Sequence, residues 1–506
     1  MATVKTITAR NFNRLSVASI HKMIRSVFII IVVSLLYSCS AENDNGRSVG
    51  CIGCHEVTLD MNHQFSCASC HLGNDGESEI EIAHTGLITN PAHPSNAQKR
   101  CGGCHAKQLD LVITNNHYTL SNHINKVRRA FGAQRDVFDA SAISSSSTPE
   151  SVLELIDDLL KRRCLRCHVY YQGDDFAQVR RGTGCAACHL SFYEGHLVSH
   201  QFNAHPNDTN CLSCHYGNHV GFDYYGRFEH DYNEEYRTPY TTTNDNFRPY
   251  GVEYHQLEAD IHHTAGMVCI DCHDQKQVMG PDDSYSSCDN CHKQVRIEKL
   301  NLPAITKQDN VYQYTSPSTG KRFSLPLMKH PAHEVFTERV SCQVCHARWS
   351  FYDETTHLIR IDHDDFDEFY KLSLDGSDEV NQIIASHLDI DGEWLEPSMS
   401  DKFTGDALPG IWYKGYTQRR WDRISLALSK KGIVEVTRPA LSLQVSWIDI
   451  DERVHYDNST PSADIELFLS YKPHTIGPAG LFYEERLRNF FGHHLLPMHS
   501  DEPRSD

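Results

Sequence analysis

The chain has 506 residues, enough for two or three domains, and a formal net charge of −19. An acidic chain of this kind is not expected to bind nucleic acid, which requires basic patches. Basic redox partners and cationic or mineral surfaces suit it better.

The N-terminal region has the pattern of an export signal. Lys22 and Arg25 precede the apolar run Val27–Leu36, which is shorter than the roughly 20 residues of a membrane span. The residues Leu36–Cys39 resemble the lipobox of bacterial lipoproteins. We therefore expect a signal peptide over residues 1–38; an uncleaved anchor, or cleavage at another site, is the alternative.

Cleavage after residue 38 would make Cys39 the lipidated N-terminus of the mature chain. Residues 39–50 are polar and are expected to form a tether. Ser40 follows the cysteine, so no Asp is present to retain the lipoprotein in the inner membrane. The expected location is therefore the outer membrane, facing either the periplasm or the cell surface.

The sequence Cys-x-x-Cys-His occurs nine times and uses eighteen of the nineteen cysteines. This spacing attaches a c-type haem: two thiols add to the porphyrin vinyl groups, and the histidine becomes the proximal iron ligand. Nine covalent haems are therefore predicted. The motifs are Cys51/Cys54/His55, Cys67/Cys70/His71, Cys101/Cys104/His105, Cys164/Cys167/His168, Cys185/Cys188/His189, Cys211/Cys214/His215, Cys269/Cys272/His273, Cys288/Cys291/His292 and Cys342/Cys345/His346.

A Cys-x-x-Cys pair also occurs in zinc sites and in thiol redox motifs. Zinc sites combine two such pairs, or add a pair of histidines, to reach four ligands. Here every pair is followed at once by histidine, and no other cysteine remains after Cys39. Tethered haem is also expected to fill much of the interior, because only 40% of the chain is hydrophobic.

The motifs divide the chain into three segments. Residues 51–140 hold three motifs, residues 141–350 hold six and residues 351–506 hold none. The predicted fold class is a multihaem cytochrome c, mostly irregular and short α-helical around stacked haems. A small haem-free, β-rich C-terminal domain completes it.

One helix is predicted directly before the fourth motif. Thr148 is expected to be its N-cap and Pro149 to occupy its first turn. An apolar stripe at helical spacing, expected to pack against a porphyrin, is formed by Val152, Leu153, Ile156, Leu159 and Leu160.

The segment after His346 has to build an ordinary apolar core. It holds all five tryptophans, whose large side chains suit that purpose. A small antiparallel sheet is predicted from Gly432–Thr437, Leu441–Asp449 and Arg453–Tyr456. A closing helix is predicted over Leu481–Phe491.

Each haem iron also needs a second axial ligand. The six methionines beyond the signal are too few for nine sites, so bis-histidine ligation is predicted, which lowers the reduction potential relative to His/Met. A distal histidine has to approach the opposite porphyrin face and is expected in a neighbouring segment, whereas a surface histidine titrates freely. The candidates are His63, His84, His93, His117, His200, His205, His262, His333 and His357.

Further segments carry a family resemblance: His117–Gln134, Gly184–His189, Cys214–Glu229, His262–Gly280, Cys345–Trp349 and Pro473-His474-Thr475. With the nine motifs, they resemble the large multihaem c-type cytochromes, many of them lipoproteins, of metal-respiring and related anaerobic bacteria. The resemblance implies respiratory electron transfer. In that family a Pro-His-Thr of this kind commonly precedes another haem motif. Here no cysteine follows it, which leaves the role of His474 open.

The predicted function is electron transfer through stacked bis-histidine haems between a periplasmic donor and an outer-membrane or extracellular acceptor. An iron with both axial positions filled passes electrons without binding a substrate, so no catalytic residues are predicted. Two alternatives stay open. One is an oxidoreductase of a small nitrogen or sulfur species at one open haem, resembling the octahaem tetrathionate reductase and hydroxylamine oxidoreductase groups. The other is a filament subunit in which a neighbour donates a distal histidine.

Overall fold

The computed structural model of the protein describes residues 50–216, 221–229, 254–280, 287–353, 355–365, 377–389, 392, 394–415, 419–439, 441–462, 468–479 and 483–492. The predicted signal peptide, the lipidation candidate Cys39 and residues 39–49 of the predicted tether lie outside these residues. Among the helices that are described, none is long and apolar enough to cross a membrane.

The predicted fold class is wrong. The described chain is a mixed structure with 19 α-helices, 34% helical residues and 19% strand, rather than a mostly irregular, short-helical cytochrome. The sequence reading missed strands between the eighth and ninth motifs, where Ile305–Gln308, Val311–Thr315 and Arg322–Leu325 form an antiparallel sheet. Buried and exposed residues alternate along the second and third of these strands, as a half-buried sheet requires. Protein side chains therefore build a core in this region.

The helices vary in length from single turns at the motifs to three turns elsewhere. Their bounds are Cys51–Cys54, Cys67–His71, Ile80–Ala83, Pro94–Arg100, Gly102–Val112, Asn116–Thr119, Ser121–Ala130, Val152–Arg162, Cys185–His189, Asp208–Leu212, Ile261–Ala265, Cys269–Cys272, Gln275–Met279, Asp289–His292, Gln294–Leu300, Pro331–Phe336, Cys342–His346, Asp378–Leu388 and Tyr483–Phe491. Short 3₁₀ helices span Ala140–Ala142 and Cys164–Cys167.

The remaining strands are short and lie mostly in the C-terminal third of the chain. Their bounds are Phe192–Tyr193, His196–Leu197, Arg227–Glu229, Tyr254–Gln256, Tyr352–Asp353, Thr356–Ile361, Ser398–Ser400, Ala407–Pro409, Ile411–Lys414, Arg419–Arg420, Ser425–Leu428, Val434–Pro439, Leu443–Ile448, Val454–Ser459 and Phe468–Ser470.

The chain divides into two compact units, of which the smaller comprises residues 1–56 and 75–83. In its described part, the carboxylate of Asp75 accepts a hydrogen bond of 2.8 Å from the backbone nitrogen of Cys51, where the first motif begins. Gly50 precedes it with φ +103°, and a Cβ there would lie 2.6 Å from the Asp75 carboxylate. Glycine is therefore required beside this contact.

The larger unit comprises residues 57–74 and 84–506, and its main core joins the centre of the sequence to the C-terminal region. The helix Val152–Arg162 starts later than expected, because the hydroxyl of Ser151 accepts from the backbone nitrogen of Glu154 at 3.2 Å and caps it. The stripe on this helix packs against strands rather than a porphyrin. Its buried members Ile156, Leu159 and Leu160 cluster, together with Leu155, with Ile361, Trp412, Val445 and Trp447.

A four-stranded sheet lies at the centre of the C-terminal region. Its strands follow the order Ile411–Lys414, Thr356–Ile361, Leu443–Ile448 and Val454–Ser459. The second and third strands pair in parallel, and the others are antiparallel. The strand Val434–Pro439, expected in the same sheet, instead pairs with Ser425–Leu428 and Phe468–Ser470.

A buried charge cluster fastens the helix Val152–Arg162 to this sheet. The Asp158 carboxylate lies 3.2 Å from the Arg360 guanidinium and accepts a hydrogen bond of 2.8 Å from the Trp412 indole. Arg162 lies on the next turn and donates to the carbonyl of Pro409 at 2.9 Å. Asp158, Arg162 and Arg360 are fully buried, so each charge depends on its partners.

A second core supports the ninth motif. Val344, inside that motif, is fully buried with Trp349, Phe351, Val434 and Leu487. Trp349 and Phe351 precede the strand Tyr352–Asp353, Val434 begins the strand Val434–Pro439, and Leu487 lies on the closing helix Tyr483–Phe491. The C-terminal region is thus part of the support for the last motif.

Candidate haem sites

Most motifs place their cysteines on a single helical turn. The helices Cys67–His71, Cys185–His189 and Cys342–His346 each consist of one complete motif. One turn carries both thiols and the following histidine, which is the arrangement that two thioether bonds to one porphyrin require. None of the eighteen described cysteines forms a disulfide.

Several motif residues are exposed in the described chain: Cys54, His55, Cys104, His105, Cys188, His215 and Cys272. His55, the predicted proximal ligand of the first motif, is exposed, because the chain leaves the helix Cys51–Cys54 there in an extended conformation with φ −112° and ψ 118°. Cys104 of the third motif is exposed on the first turn of the helix Gly102–Val112, since one face of a surface helix points to solvent. Ligation by His55 and attachment at Cys104 stay predictions.

For six motifs the structure brings the motif histidine opposite one histidine from outside the motifs. The distances between ring centroids are 6.1 Å for His63 and His105, 6.1 Å for His71 and His200, 6.2 Å for His117 and His215, 5.9 Å for His262 and His292, 6.1 Å for His273 and His474, and 6.1 Å for His333 and His346. Within these six pairs each non-motif histidine occurs once, although His333 also meets the ring of His330 edge-on at 6.5 Å. The pairing is therefore one to one.

The separation suits a metal ion between the two rings. A metal bonded to each ring nitrogen at about 2.0–2.1 Å, with about 1.1 Å more from nitrogen to centroid, separates the centroids by about 6 Å. Packed aromatic rings also span 4.5–7 Å, so distance alone does not distinguish the two cases. The distinction comes from the pairing rule, because each pair joins one predicted proximal ligand to one other histidine.

Hydrogen bonds orient the motif histidines. The Nδ1 atoms of four of them face backbone carbonyls, and that of His273 faces the side-chain oxygen of Gln277 at 3.0 Å. A carbonyl only accepts, so Nδ1 carries the proton and Nε2 is left free to bind a metal. The carbonyl contacts are His71 to Ile88 at 2.8 Å, His189 to Asn203 at 2.8 Å, His292 to Pro326 at 2.8 Å and His346 to Gly477 at 2.9 Å.

Three of the facing histidines have side-chain partners at the same atom. The Nδ1 of His63 lies 2.8 Å from the Asp60 carboxylate, and that of His262 lies 2.8 Å from Asp260. The Nδ1 of His117 lies 2.8 Å from the amide oxygen of Asn115. These acceptors again leave Nε2 on the side of the partner ring.

His474 was left open by sequence reasoning, and the structure brings it opposite His273 with the rings 25° from parallel. Its Nδ1 lies 4.0 Å from the Asp223 carboxylate. The same carboxylate accepts from the backbone nitrogen of His474 at 3.0 Å. The sequence signal was the tripeptide Pro473-His474-Thr475, but no spacing rule links it to a motif two hundred residues earlier.

The segment around His474 reaches the surroundings of three motifs. His474 faces the seventh motif, and the backbone nitrogen of Ile476 donates at 2.8 Å to Asp260, the partner of His262 opposite the eighth motif. Gly477 accepts from His346 of the ninth motif. We call residues 473–477 the C-terminal clasp.

The other four predicted distal ligands are His84, His93, His205 and His357. His357 lies on the strand Thr356–Ile361, and its Nε2 hydrogen bonds the Ser446 hydroxyl at 2.8 Å. His93 caps the helix Pro94–Arg100, and its ring meets that of Tyr170 edge-on at 4.9 Å. His205 and His84 are exposed.

The fourth motif differs from the six paired ones. The Nε2 of His168 hydrogen bonds the backbone carbonyl of Tyr118 at 2.7 Å, so this nitrogen is the donor and is not free to bind a metal. The ring stacks on Tyr170 at 5.0 Å and is almost completely buried. Burial lowers the pKa of His168 to about 4. The arrangement at this motif does not fit proximal ligation.

The motifs lie close to one another along a continuous series. The Cys214 thiol contacts the carbonyl of Cys167 at 3.4 Å, which joins the sixth and fourth motifs. A hydrogen bond with Cys211 strongly raises the pKa of Cys269, and one with Cys288 does the same for Cys342. These contacts join the sixth motif to the seventh and the eighth to the ninth.

Charge interactions between thiols relate further motifs to one another, because such interactions weaken with distance. Burial, followed by Cys185 and Cys70, raises the pKa of Cys101 to about 11, which relates the second, third and fifth motifs. The fifth and sixth motifs are neighbours, because burial and Cys211 raise the pKa of Cys188 to about 11. The seventh and eighth motifs are neighbours as well, because burial and Cys291 raise the pKa of Cys272 to about 12.

No protein-family model, curated protein or solved structure matches this chain.

Proposed function

We propose that the chain is a multihaem c-type cytochrome that carries electrons through up to nine covalently bound haems. The observation that carries the proposal is the one-to-one placement of six motif histidines opposite six other histidines, with centroids 5.9–6.2 Å apart. Bound haem supplies one-electron chemistry at iron. The paired histidines would fill both axial positions and so exclude substrates from these six irons.

The series of neighbouring motifs supports a relay. From the second motif to the ninth, each motif has thiols close to those of another motif, and the sixth has neighbours in the fourth, fifth and seventh. Porphyrins attached to these thiols would lie edge to edge or face to face. This arrangement favours transfer along the molecule over storage at isolated centres.

The partners follow from charge and export. We propose that the chain is an outer-membrane lipoprotein anchored through Cys39, and that it passes electrons between a periplasmic donor and an outer-membrane or extracellular acceptor. The net charge of −19 favours basic protein partners or cationic surfaces, because complementary charge speeds encounter.

The proposal is tested by counting low-spin haems in the purified protein. Magnetic circular dichroism and electron paramagnetic resonance of the oxidised protein should show low-spin bis-histidine signals for at least six haems. A preparation with haem bound but with most irons high-spin would contradict the pairing.

A second candidate function is catalysis at the fourth motif. The Nε2–H of His168 donates a hydrogen bond to a backbone carbonyl, and His168 does not belong to the six pairs. A haem attached to Cys164 and Cys167 would then keep an open position for a small nitrogen or sulfur species. A high-spin signal that shifts on adding nitrite or cyanide, and that a Cys164→Ala, Cys167→Ala variant lacks, would support this function. Uniformly low-spin haems would exclude it.

A further inference from the structure

A group of three carboxylates, one buried and two half-buried, lies between the loop after the fourth motif and the C-terminal region. Asp174 belongs to that loop, and Asp378 and Glu379 form the first turn of the helix Asp378–Leu388. One oxygen from each side chain lies within 4.8 Å of the others. Three carboxylates at this distance repel one another strongly unless a cation joins them.

Several oxygens of the group have no hydrogen-bond donor. Both carboxylate oxygens of Asp174 and the Oε2 atom of Glu379 are buried without a hydrogen bond. Asp174 is 0% exposed. Buried polar atoms nearly always have a partner, and a charged carboxylate without one is especially costly. These oxygens therefore keep lone pairs for a ligand that accepts them.

One ammonium group lies beside the three carboxylates. Lys402 hydrogen bonds the Oε1 atom of Glu379 and the Ser400 hydroxyl, and it lies 3.5 Å from Asp174. Its single positive charge leaves the group with two negative charges in excess. The excess equals the charge of one divalent cation. Lys402 occupies Oε1 of Glu379 and leaves Oε2 on the same carboxylate for that cation.

We propose that Asp174, Asp378 and Glu379 bind a divalent cation of the calcium class. Hard cations of this class prefer carboxylate oxygens and tolerate irregular geometry. The bound ion would join the loop after the fourth motif to the helix Asp378–Leu388. A contact between the two already exists, since Asp378 accepts from the backbone nitrogen of Asp175 at 3.1 Å.

A proton is the alternative occupant, because burial and the neighbouring Glu379 raise the pKa of Asp378. The two occupants predict opposite responses to chelation. A cation site loses stability when the ion is removed, whereas a protonated carboxyl is indifferent to chelator.

The test uses the full-length, haem-loaded protein with calcium chloride as the probe. After treatment with chelator and desalting, calorimetric titration should show one more equivalent of bound calcium in the wild type than in Asp174→Asn. The difference between the two proteins is the quantity to measure, because haem carboxylates also bind calcium and do so equally in both proteins. The control Asp451→Asn removes an exposed carboxylate paired with Arg453 and should bind as the wild type does.

Thermal unfolding gives a second readout. It includes the response of the wild-type protein to calcium, which does not depend on how well a variant folds. Calcium should raise the unfolding midpoint of the wild type and not that of Asp174→Asn or Asp378→Asn. In chelator, both variants should have a higher unfolding midpoint than the wild type, because each variant removes one of the repelling carboxylates. Equal calcium uptake by wild type and variants, or a wild-type midpoint that does not respond to calcium, would overturn the proposal.

Discussion

At the scale of single residues, the proposed function depends on which nitrogen each imidazole presents to its partner ring. Acceptors at Nδ1 determine this orientation, and they differ in charge. Asp60 and Asp260 are carboxylates, Asn115 and Gln277 are amides, and the other acceptors are backbone carbonyls. A carboxylate makes the imidazole a stronger donor to iron and so favours the oxidised metal.

The charge of these acceptors should therefore set the order of haem potentials. Asp60→Asn should raise the potential of the third haem, shifting its reduction equilibrium about tenfold, or 59 mV for one electron. The reciprocal variant Gln277→Glu places a carboxylate behind His273 and should lower the potential of the seventh haem. Spectropotentiometric titration measures both changes. Shifts in the same direction, or none, would show that these contacts do not tune the iron.

The assignment of His474 as an axial ligand makes a separate prediction. His474→Ala removes the ring opposite His273, so about one haem in nine should change from low spin to high spin. His357→Ala is the matched control, because His357 bonds Ser446 on a strand and should leave the spin states unchanged. Electron paramagnetic resonance of the two variants makes the comparison. If the control changed and His474→Ala did not, the ligand assignment would have to be exchanged.

At the scale of structural elements, the C-terminal clasp connects the last three motifs. Its backbone donates to Asp260 through Ile476, accepts from His346 through Gly477, and carries His474. The region after the last motif is therefore more than a cap on the haem segments. The main core of this region contains side chains of the helix Val152–Arg162, and its second core contains Val344 of the ninth motif.

Removing one backbone donor from the clasp tests this connection. Ile476→Pro eliminates the hydrogen bond to the buried Asp260 carboxylate, and bonds to charged groups contribute about 1.5–3 kcal/mol. We expect a lower unfolding midpoint together with altered absorption of more than one haem. Ile476→Val keeps the donor and should resemble the wild type in both measurements. A Pro variant indistinguishable from the Val variant would show that the clasp does not hold these sites.

The elements also show what sequence reasoning can and cannot predict. The motif cysteines and histidines are legible because their chemistry is local, confined to five consecutive residues. The positions of the facing histidines are set by tertiary contacts: His63 lies near the second motif in sequence but opposite the third in space, and His200 lies opposite the second. His357 was predicted as a distal ligand because it follows the ninth motif in sequence. It lies on the strand Thr356–Ile361, where its ring hydrogen bonds Ser446.

The fold class was missed for a similar reason. Haem motifs predict short helical turns but say nothing about the chain between them. The strands Val311–Thr315 and Arg322–Leu325 have an alternating pattern that was visible in the sequence and was not used. The apolar stripe of the helix Val152–Arg162 was identified correctly as a packing surface. Its partner, the sheet with Trp412 and Trp447, lies more than two hundred residues away and could not be inferred from periodicity.

At the scale of the whole molecule, the proposed relay depends on haems attached at closely placed motifs. The sixth motif is its central point, with thiol neighbours in the fourth, fifth and seventh motifs. If the relay is continuous, one reductant that reaches any exposed haem should reduce the remaining haems. Stopped-flow reduction should then show all haems reduced, with later phases independent of reductant concentration because they occur within the molecule.

Covalently attached haem between the paired histidines is the feature on which the proposed function depends. Intact mass spectrometry of the exported, purified protein detects it without reference to spin state or activity. We expect a mass equal to the mature polypeptide plus nine haems, accompanied by low-spin absorption. A folded, exported protein that carried the mass of the polypeptide alone would show that these motifs do not bind haem.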